Sequence, residues 1–391
     1  MAVEALPKTE REQTSNEPKR KRKFAVFASV YAAVIIVLNV AALLSRQLCD
    51  FFTDHLFFIA ANTTGRISGL FPFSLGEVLI SLAIVLLVTT IIICIILIFN
   101  HKQDTYKRFA AAWLRVMAVI VLTVALLYTF NCSYLYLSTP MQFAGGTREF
   151  DVDEFEAVRN MVVNECNALA PQMEREDDGT MIFTGDSAKA AAEALRGISG
   201  DFPRLSGYYP PAKEMWGSYF MYKSDIIGVY FPFSMEANYS SYVSDSFLPH
   251  VIAHEYAHLK GYIYENEANF MSFLACINSD DPAVRYSGYL CVLYYIEKDY
   301  TSSVPDERAA KQVQLSNLVR FDDYCYDRKT WEYLQERDKE KEQPKIAEAA
   351  EKVGDTLTDI YQDALDYTPN YSEVTLLMMQ YYTEVGSFAA E

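Results

Sequence analysis

Long apolar runs are confined to the first third of the chain, and the remainder mixes polar, charged and aromatic positions as a packed soluble domain does. Phe24 to Leu44 is 21 residues without a charge, enough at about 1.5 Å per residue to cross a hydrocarbon core of about 30 Å. A second run extends from about Val78 to Phe99 and a third from about Ala110 to Phe130. Only Arg115 interrupts the third, near its start, where a long side chain can snorkel to the headgroups. Three transmembrane helices are expected, at about 24–44, 78–99 and 110–130. A cleaved signal peptide is the competing reading of the first run, but it is longer than a signal core and further spans follow.

Charge beside these runs gives an orientation. Lys19-Arg20-Lys21-Arg22-Lys23 precedes the first run, and Lys102, Lys107 and Arg108 lie between the second and third. By the positive-inside rule both face the cytoplasm, so everything after residue 131 is expected outside. The connection 45–76 would also lie outside, and its phenylalanines, among them Phe51, Phe58, Phe71 and Phe73, suit an interfacial segment.

After the third run, helical periodicity marks Val152 to Leu169 and an Ala-rich helix near Ser187 to Leu195. Glu174 to Gly179 is an acidic turn, and Ser206 to Lys213 (SGYYPPAK) reads as a loop. Ile226 to Phe231 is β-rich, either a core strand or an edge strand for extended substrate. VIAHEYAHLKG is apolar at helical spacing with a Gly261 stop, and a further helix follows from about Glu265. From Ala283 onward three stretches read as helical: RYSGYLCVLYYIEKDY, AAKQVQLSNLVRFDDYCYDRKTWEYLQERDKEKEQ and KIAEAAEKVGDTLTDIYQDAL. The expected fold is α+β: three N-terminal transmembrane helices, then a mostly helical domain with a small sheet. The expected divisions are a cytoplasmic basic tail 1–23, a membrane region 24–137, an extracytoplasmic domain 138–300 and a helical C-terminal extension 301–391.

A formal charge of −17 argues against a nucleic-acid binder, since phosphate recognition needs clustered Lys and Arg, and the one basic cluster, 19–23, flanks an apolar run. Seven cysteines show no metal-ligand spacing. Cys166, Cys276, Cys291 and Cys325 lie in the soluble part, where one or two disulfides and buried free thiols are both open readings.

Three of the five histidines, His250, His254 and His258, fall within nine residues, and two of them form His254-Glu255-Tyr256-Ala257-His258. On a helix, positions i and i+4 point the same way. Both imidazoles can then meet one Zn²⁺ while Glu255 accepts a proton from zinc-activated water. A catalytic zinc needs a third protein ligand. Glu265 is the first candidate and Glu267 the fallback, with Asn269, one turn after Glu265, as a hydrogen-bond partner of a ligand histidine. The plainer reading is that both glutamates favour a helix start. Tyr262, Tyr264, Tyr239 and His250 are candidate oxyanion donors, although most of 28 tyrosines must serve packing.

HExxH followed by a Gly turn and an ExEAN helix resembles the gluzincin peptidases, in which two His and a downstream Glu hold zinc and the motif Glu is the general base. The gap from His258 to Glu265 is shorter than in many of them. FPFSLGE at 71–77, GVYFPFSMEAN at 228–238 and HEYAHLKGYIYENEANFMSFLAC at 254–276 are also similar to domain-of-unknown-function family 3810, bacterial membrane proteins. That resemblance implies fold and topology but no substrate. The expectation is a plasma-membrane, multi-pass zinc metallopeptidase whose domain 138–300 is zincin-like and catalytic, with one Zn²⁺ per chain, acting on a peptide or protein at the outer surface of the bilayer. A zinc-domain sensor or receptor and a non-catalytic membrane scaffold are the alternatives.

Overall fold

The computed structural model describes residues 8–100, 102–143, 150–340 and 372–385. These divide into two compact units, one formed by residues up to Thr53 with Val78–Ser138, the other by Asp54–Glu77 with the residues from Thr139 onward.

In the first unit the apolar runs are helices. Lys19–Leu44, Leu75–Phe99 and Asp104–Tyr136, of 26, 25 and 33 residues, are each long and apolar enough to span a membrane. Each helix begins before its apolar run, the first as early as Lys8. Lys, Arg, Glu and Gln are good helix formers, so the backbone turn propagates through charged residues that hydropathy alone leaves out. Polar pairs tie the helices together: Asn39 Nδ2 donates to Thr129 Oγ1 at 2.8 Å and Trp113 Nε1 to Thr90 Oγ1 at 2.9 Å. Such bonds satisfy side chains that lipid cannot. The Arg115 guanidinium lies 6.0 Å from the centre of the Phe24 ring.

The second unit is mostly helical around a small sheet. It includes the helix Phe57–Ser68, so the connection 45–76 contributes a packed helix, with Phe57 and Ala61 buried, beyond the interfacial role expected of it. The helix Val152–Leu169 starts where Asp151 and Glu154 form a reciprocal capping box, and Asp186 caps Ser187–Gly197 by accepting the Lys189 N–H. Three strands follow: β1 (Lys213–Met215), β2 (Gly228–Phe231) and β3 (Glu236–Ser240), in the order β1-β3-β2. β1 runs parallel to β3, and β2 antiparallel to it with Tyr230 opposite Ala237. β2 is therefore an edge strand of its sheet. Val162, Leu195, Ile252, Phe270, Phe273 and Leu293 share one buried core, each contributing about 1.5–3 kcal/mol by leaving water.

One buried carboxylate organises the sheet. Glu236 pairs with Lys213, accepts from Ser234 Oγ, and accepts the backbone N–H groups of Leu75 and Gly76 at 3.1 and 2.8 Å. A Cβ on Gly76 would stand 2.8 Å from Cγ of Phe231, so only glycine permits this approach. The stretches FPFSLGE and GVYFPFSMEAN, distant in sequence, are thereby one structural joint.

Two expectations from the sequence need correction or restriction. The stretch from Ala309 is not one helix: Asp306–Ala309, Asn317–Asp322 and Arg328–Glu340 are separate. Between them Arg159 donates to the Val313 carbonyl, and Asn167 both donates to the Gln314 carbonyl and accepts the Ser316 N–H. These side-chain bonds hold the segment out of helical form. The helix expected over KIAEAAEKVGDTLTDIYQDAL lies outside the described residues. All seven cysteines are free thiols.

Candidate metal centre

The motif helix Leu248–Leu259 opens with Pro249 in its first turn, where a missing N–H is harmless, and places His250, His254 and His258 on successive turns. Gly261, at φ 90°, then reverses the chain. That left-handed turn brings the Tyr262 carbonyl to 2.8 Å from His258 Nδ1. A carbonyl cannot donate, so Nδ1 carries a proton and Nε2 is the nitrogen turned to the cluster, able to ligate once it gives up its own proton.

The helix Glu265–Ile277 supplies the third group from its first turn. Glu265 Oε2 lies 3.1 Å from His254 Nε2, and Oε1 lies 3.6 Å from His258 Nε2. His254, His258 and Glu265 offer ligand atoms within 4.8 Å of one another, a group able to hold a metal ion. Ligands at about 2.0–2.1 Å from a tetrahedral ion stand about 3.3 Å apart, which the two contacts bracket. The donor chemistry fits as well: two imidazole nitrogens and one carboxylate form the set that binds Zn²⁺ and related divalent ions. The Glu265 side chain is 44 % exposed, so the cluster opens to solvent.

Electrostatics match this arrangement. Burial would lower the His258 imidazole, but Glu265, then Glu255 and the Tyr262 carbonyl, outweigh it and push it up to about 9. Burial likewise opposes ionisation of Glu265, yet His258 and His254 hold it well below the usual carboxylate range. The cluster is thus built to receive positive charge.

Glu255 is buried on the adjoining side. Burial pushes its carboxyl up to about 7, against the pull of His254 and His258 and the Tyr230 N–H it accepts. Ile227 and Val229 turn their carbonyls toward β3, the first bonded by the Ser240 N–H and the second by Asn238 Nδ2. Gly228 and Tyr230, at alternate positions, therefore face outward along the sheet edge. A Cβ on Gly228 would collide with the Glu255 carboxylate, its Cδ only 3.0 Å away. The outward backbone of β2 and the small size of Gly228 are features that the sequence does not single out.

The remaining candidates go to different places. Glu267 points away from the histidines: buried, it accepts the Met141 N–H at 2.6 Å and lines a cavity of about 760 Å³ with Asp54, Arg204 and Tyr262. Burial pushes its carboxyl up to about 7. Asn269 faces His250 and donates to Tyr295 Oη at 3.5 Å. His250 precedes His254 by one turn, with ring centres 6.5 Å apart, and burial pushes it down to about 3. Tyr262 joins the cluster through its carbonyl, while Arg204 covers its ring at 5.3 Å. Tyr239 sits in β3 opposite Gly228, and Tyr264 immediately precedes the helix that begins at Glu265.

Three apolar helices able to span a membrane, joined in one chain to a mostly helical unit with a His-His-Glu cluster, define the class: a candidate membrane protein with a possible metal site. The family DUF3810, described as a protein of unknown function, matches residues 52–377, and the chain belongs to that family. No curated protein and no solved structure matches it.

Proposed function

We propose that the protein is a membrane-anchored zinc metallopeptidase of gluzincin type, with the His254-His258-Glu265 cluster as its zinc site and Glu255 as its general base. The observation that carries the reading is the placement of Glu255. Its buried carboxylate stands between a three-ligand cluster and the outward edge of β2. A Zn²⁺ ion, when bound, would supply Lewis-acid chemistry: a water of lowered pKa and a polarised carbonyl.

The chain's own groups would do the rest. The Tyr262 carbonyl holds His258 in the tautomer that leaves Nε2 free to ligate, and the Glu265 carboxylate offsets the charge of a dication. An extended peptide laid along Gly228–Phe231 would pair with the outward backbone groups other than the Tyr230 N–H, which Glu255 holds, and this would fix its scissile bond relative to Glu255. Glu255 takes one proton from the attacking water and returns it to the leaving amine nitrogen, so the carboxylate ends as it began. The outer-surface orientation and the bacterial setting rest on loop charge and on the family resemblance.

The test is elemental analysis and peptide hydrolysis on the purified chain and on His254→Ala, Glu265→Gln, Glu267→Gln and Glu255→Gln. About one zinc per chain is expected in the parent, in Glu267→Gln and in Glu255→Gln, and not in the other two. Hydrolysis should fall at least about 100-fold in Glu255→Gln with its metal retained. A parent chain that binds no divalent metal would overturn the reading.

A further inference from the structure

Large apolar side chains facing water call for a reason. Among the described residues 150–340, the only ones other than tyrosine that are exposed by more than half are Trp216 (73 %) and Phe220 (56 %). The Trp216 ring stacks on Phe73, with centroids 5.7 Å apart and planes at 27°, and Phe73 in turn leans on Phe71 at 5.7 Å. Leu70, also in this stretch, is 80 % exposed.

The backbone fixes where this patch stands. The N–H groups of Trp216 and Gly217 donate to the Glu77 carboxylate at 3.0 and 2.7 Å. Glu77 lies in the first turn of Leu75–Phe99, a helix long and apolar enough to span a membrane. The start of a span lies at the boundary between headgroups and hydrocarbon, so whatever is bonded to that turn is held at the same depth. Tryptophan favours that layer, where its ring meets the acyl chains and its N–H meets water.

We propose that Leu70, Phe71, Trp216 and Phe220 form a lipid seat, by which the unit carrying the His-His-Glu cluster rests in the interfacial layer of the bilayer that Leu75–Phe99 enters. Lipid is the occupant because the patch is continuous with the first turn of a helix whose apolar surface needs lipid around it. The seat also narrows the substrate class, and this clause alone rests on the peptidase reading. β2 touches Gly76 through Phe231 and the Glu255 carboxylate at Gly228 and Tyr230. Three strand residues span about 10 Å, so the bond cut would belong to a polypeptide segment lying close to the membrane surface, such as the juxtamembrane part of an anchored protein.

The test uses the full chain in phosphatidylcholine vesicles with acyl chains brominated near the headgroup. A Trp113→Phe, Trp331→Phe variant leaves Trp216 as the only indole, and a Trp113→Phe, Trp216→Phe variant leaves Trp331. Loss of more than about half of the Trp216 emission is expected, with Trp331 unaffected. Trp216 emission that is indifferent to bromine would overturn the seat and favour a protein partner on the patch. Photoactivatable lipid on the unsubstituted chain gives a second measurement: adducts on 70–73 and 216–220 support the seat, and adducts confined to the spans overturn it. Neither readout needs metal or turnover. Quenching in a chain that binds no zinc would leave the seat standing and remove the peptidase reading; zinc without quenching would do the reverse.

Discussion

The imidazole of His258 and the backbone carbonyl of Tyr262 lie 2.8 Å apart, and this contact sets which histidine nitrogen faces Glu265. It exists because Gly261 adopts φ 90° immediately after the motif helix. The glycine that ends the helix also orients a member of the cluster, so stopping the helix and building the site are one local event.

Replacing Gly261 with alanine should therefore act on both. A Cβ in the left-handed region costs about 1 kcal/mol, and relief of that strain would pull the Tyr262 carbonyl off Nδ1. Metal affinity should fall about tenfold, the scale seen when a ligand histidine loses its outer partner. Tyr262→Phe keeps the carbonyl and should keep the affinity. Metal titration of the two variants decides it: equal affinities would show that the turn does not orient His258.

Gly228→Ala tests the opposite wall of the site. No left-handed backbone is involved at Gly228. The expected effect is steric: the new methyl meets the Glu255 carboxylate, with Cδ 3.0 Å away, and the acid must move. A displacement of about 1 Å costs on the order of 100-fold in rate. Peptide hydrolysis should drop by that factor while zinc content stays at the parent level. Unchanged hydrolysis would show that Glu255 has room to spare and that β2 does not position it.

Local signals carried a good part of this structure. Asp151 and Glu154 announce the helix Val152–Leu169 because a capping box is a four-residue pattern, and His254, His258 and Glu265 lie within twelve residues of one another. Long-range partners left no such trace. Nothing in the spacing of Lys213, Glu236 and Gly76 shows that they meet, because the contact spans up to 160 positions. The segment around Val313 and Gln314 reads as helix by composition, yet Arg159 and Asn167 claim its carbonyls from another helix. Tertiary hydrogen bonds overrode propensity there. The edge position of β2 was equally hidden, since exposure of one backbone edge depends on the order β1-β3-β2 and not on the residues of the strand.

Asp323 gives the fold a pH dependence of defined sign. Burial, aided by Glu297 and opposed by Arg320, pushes its carboxyl from 3.8 up to about 7. Between those values the folded chain keeps a proton that the unfolded chain has released, so stability falls as pH rises through the window and levels off above it. Asp323→Asn carries no such proton. Denaturation midpoints should show a shallower decline from pH 4 to 7 in the variant, and a variant more stable than the parent at pH 8. Parallel curves would mean that Asp323 ionises freely in the fold.

The Lys213–Glu236 pair offers the sharpest test of how the sheet is joined to Leu75 and Gly76. Both side chains are almost wholly buried, at 3 % and 0 % exposure. Their loss should be unequal. Lys213→Met leaves a buried carboxylate with Ser234 and two backbone N–H groups as its only partners in this joint, at a cost of about 3–5 kcal/mol. Glu236→Gln keeps an acceptor for Leu75 and Gly76, and the ammonium of Lys213 retains the Ser68 carbonyl at 2.8 Å, so the loss should be smaller. The double variant should recover part of the Lys213→Met deficit, because no uncompensated charge remains. Denaturant midpoints in detergent measure all three, and hydrogen exchange at Leu75–Glu77 should quicken in the same order. Single variants that each cost under about 1 kcal/mol would place the pair in water and detach β3 from the start of the second apolar helix.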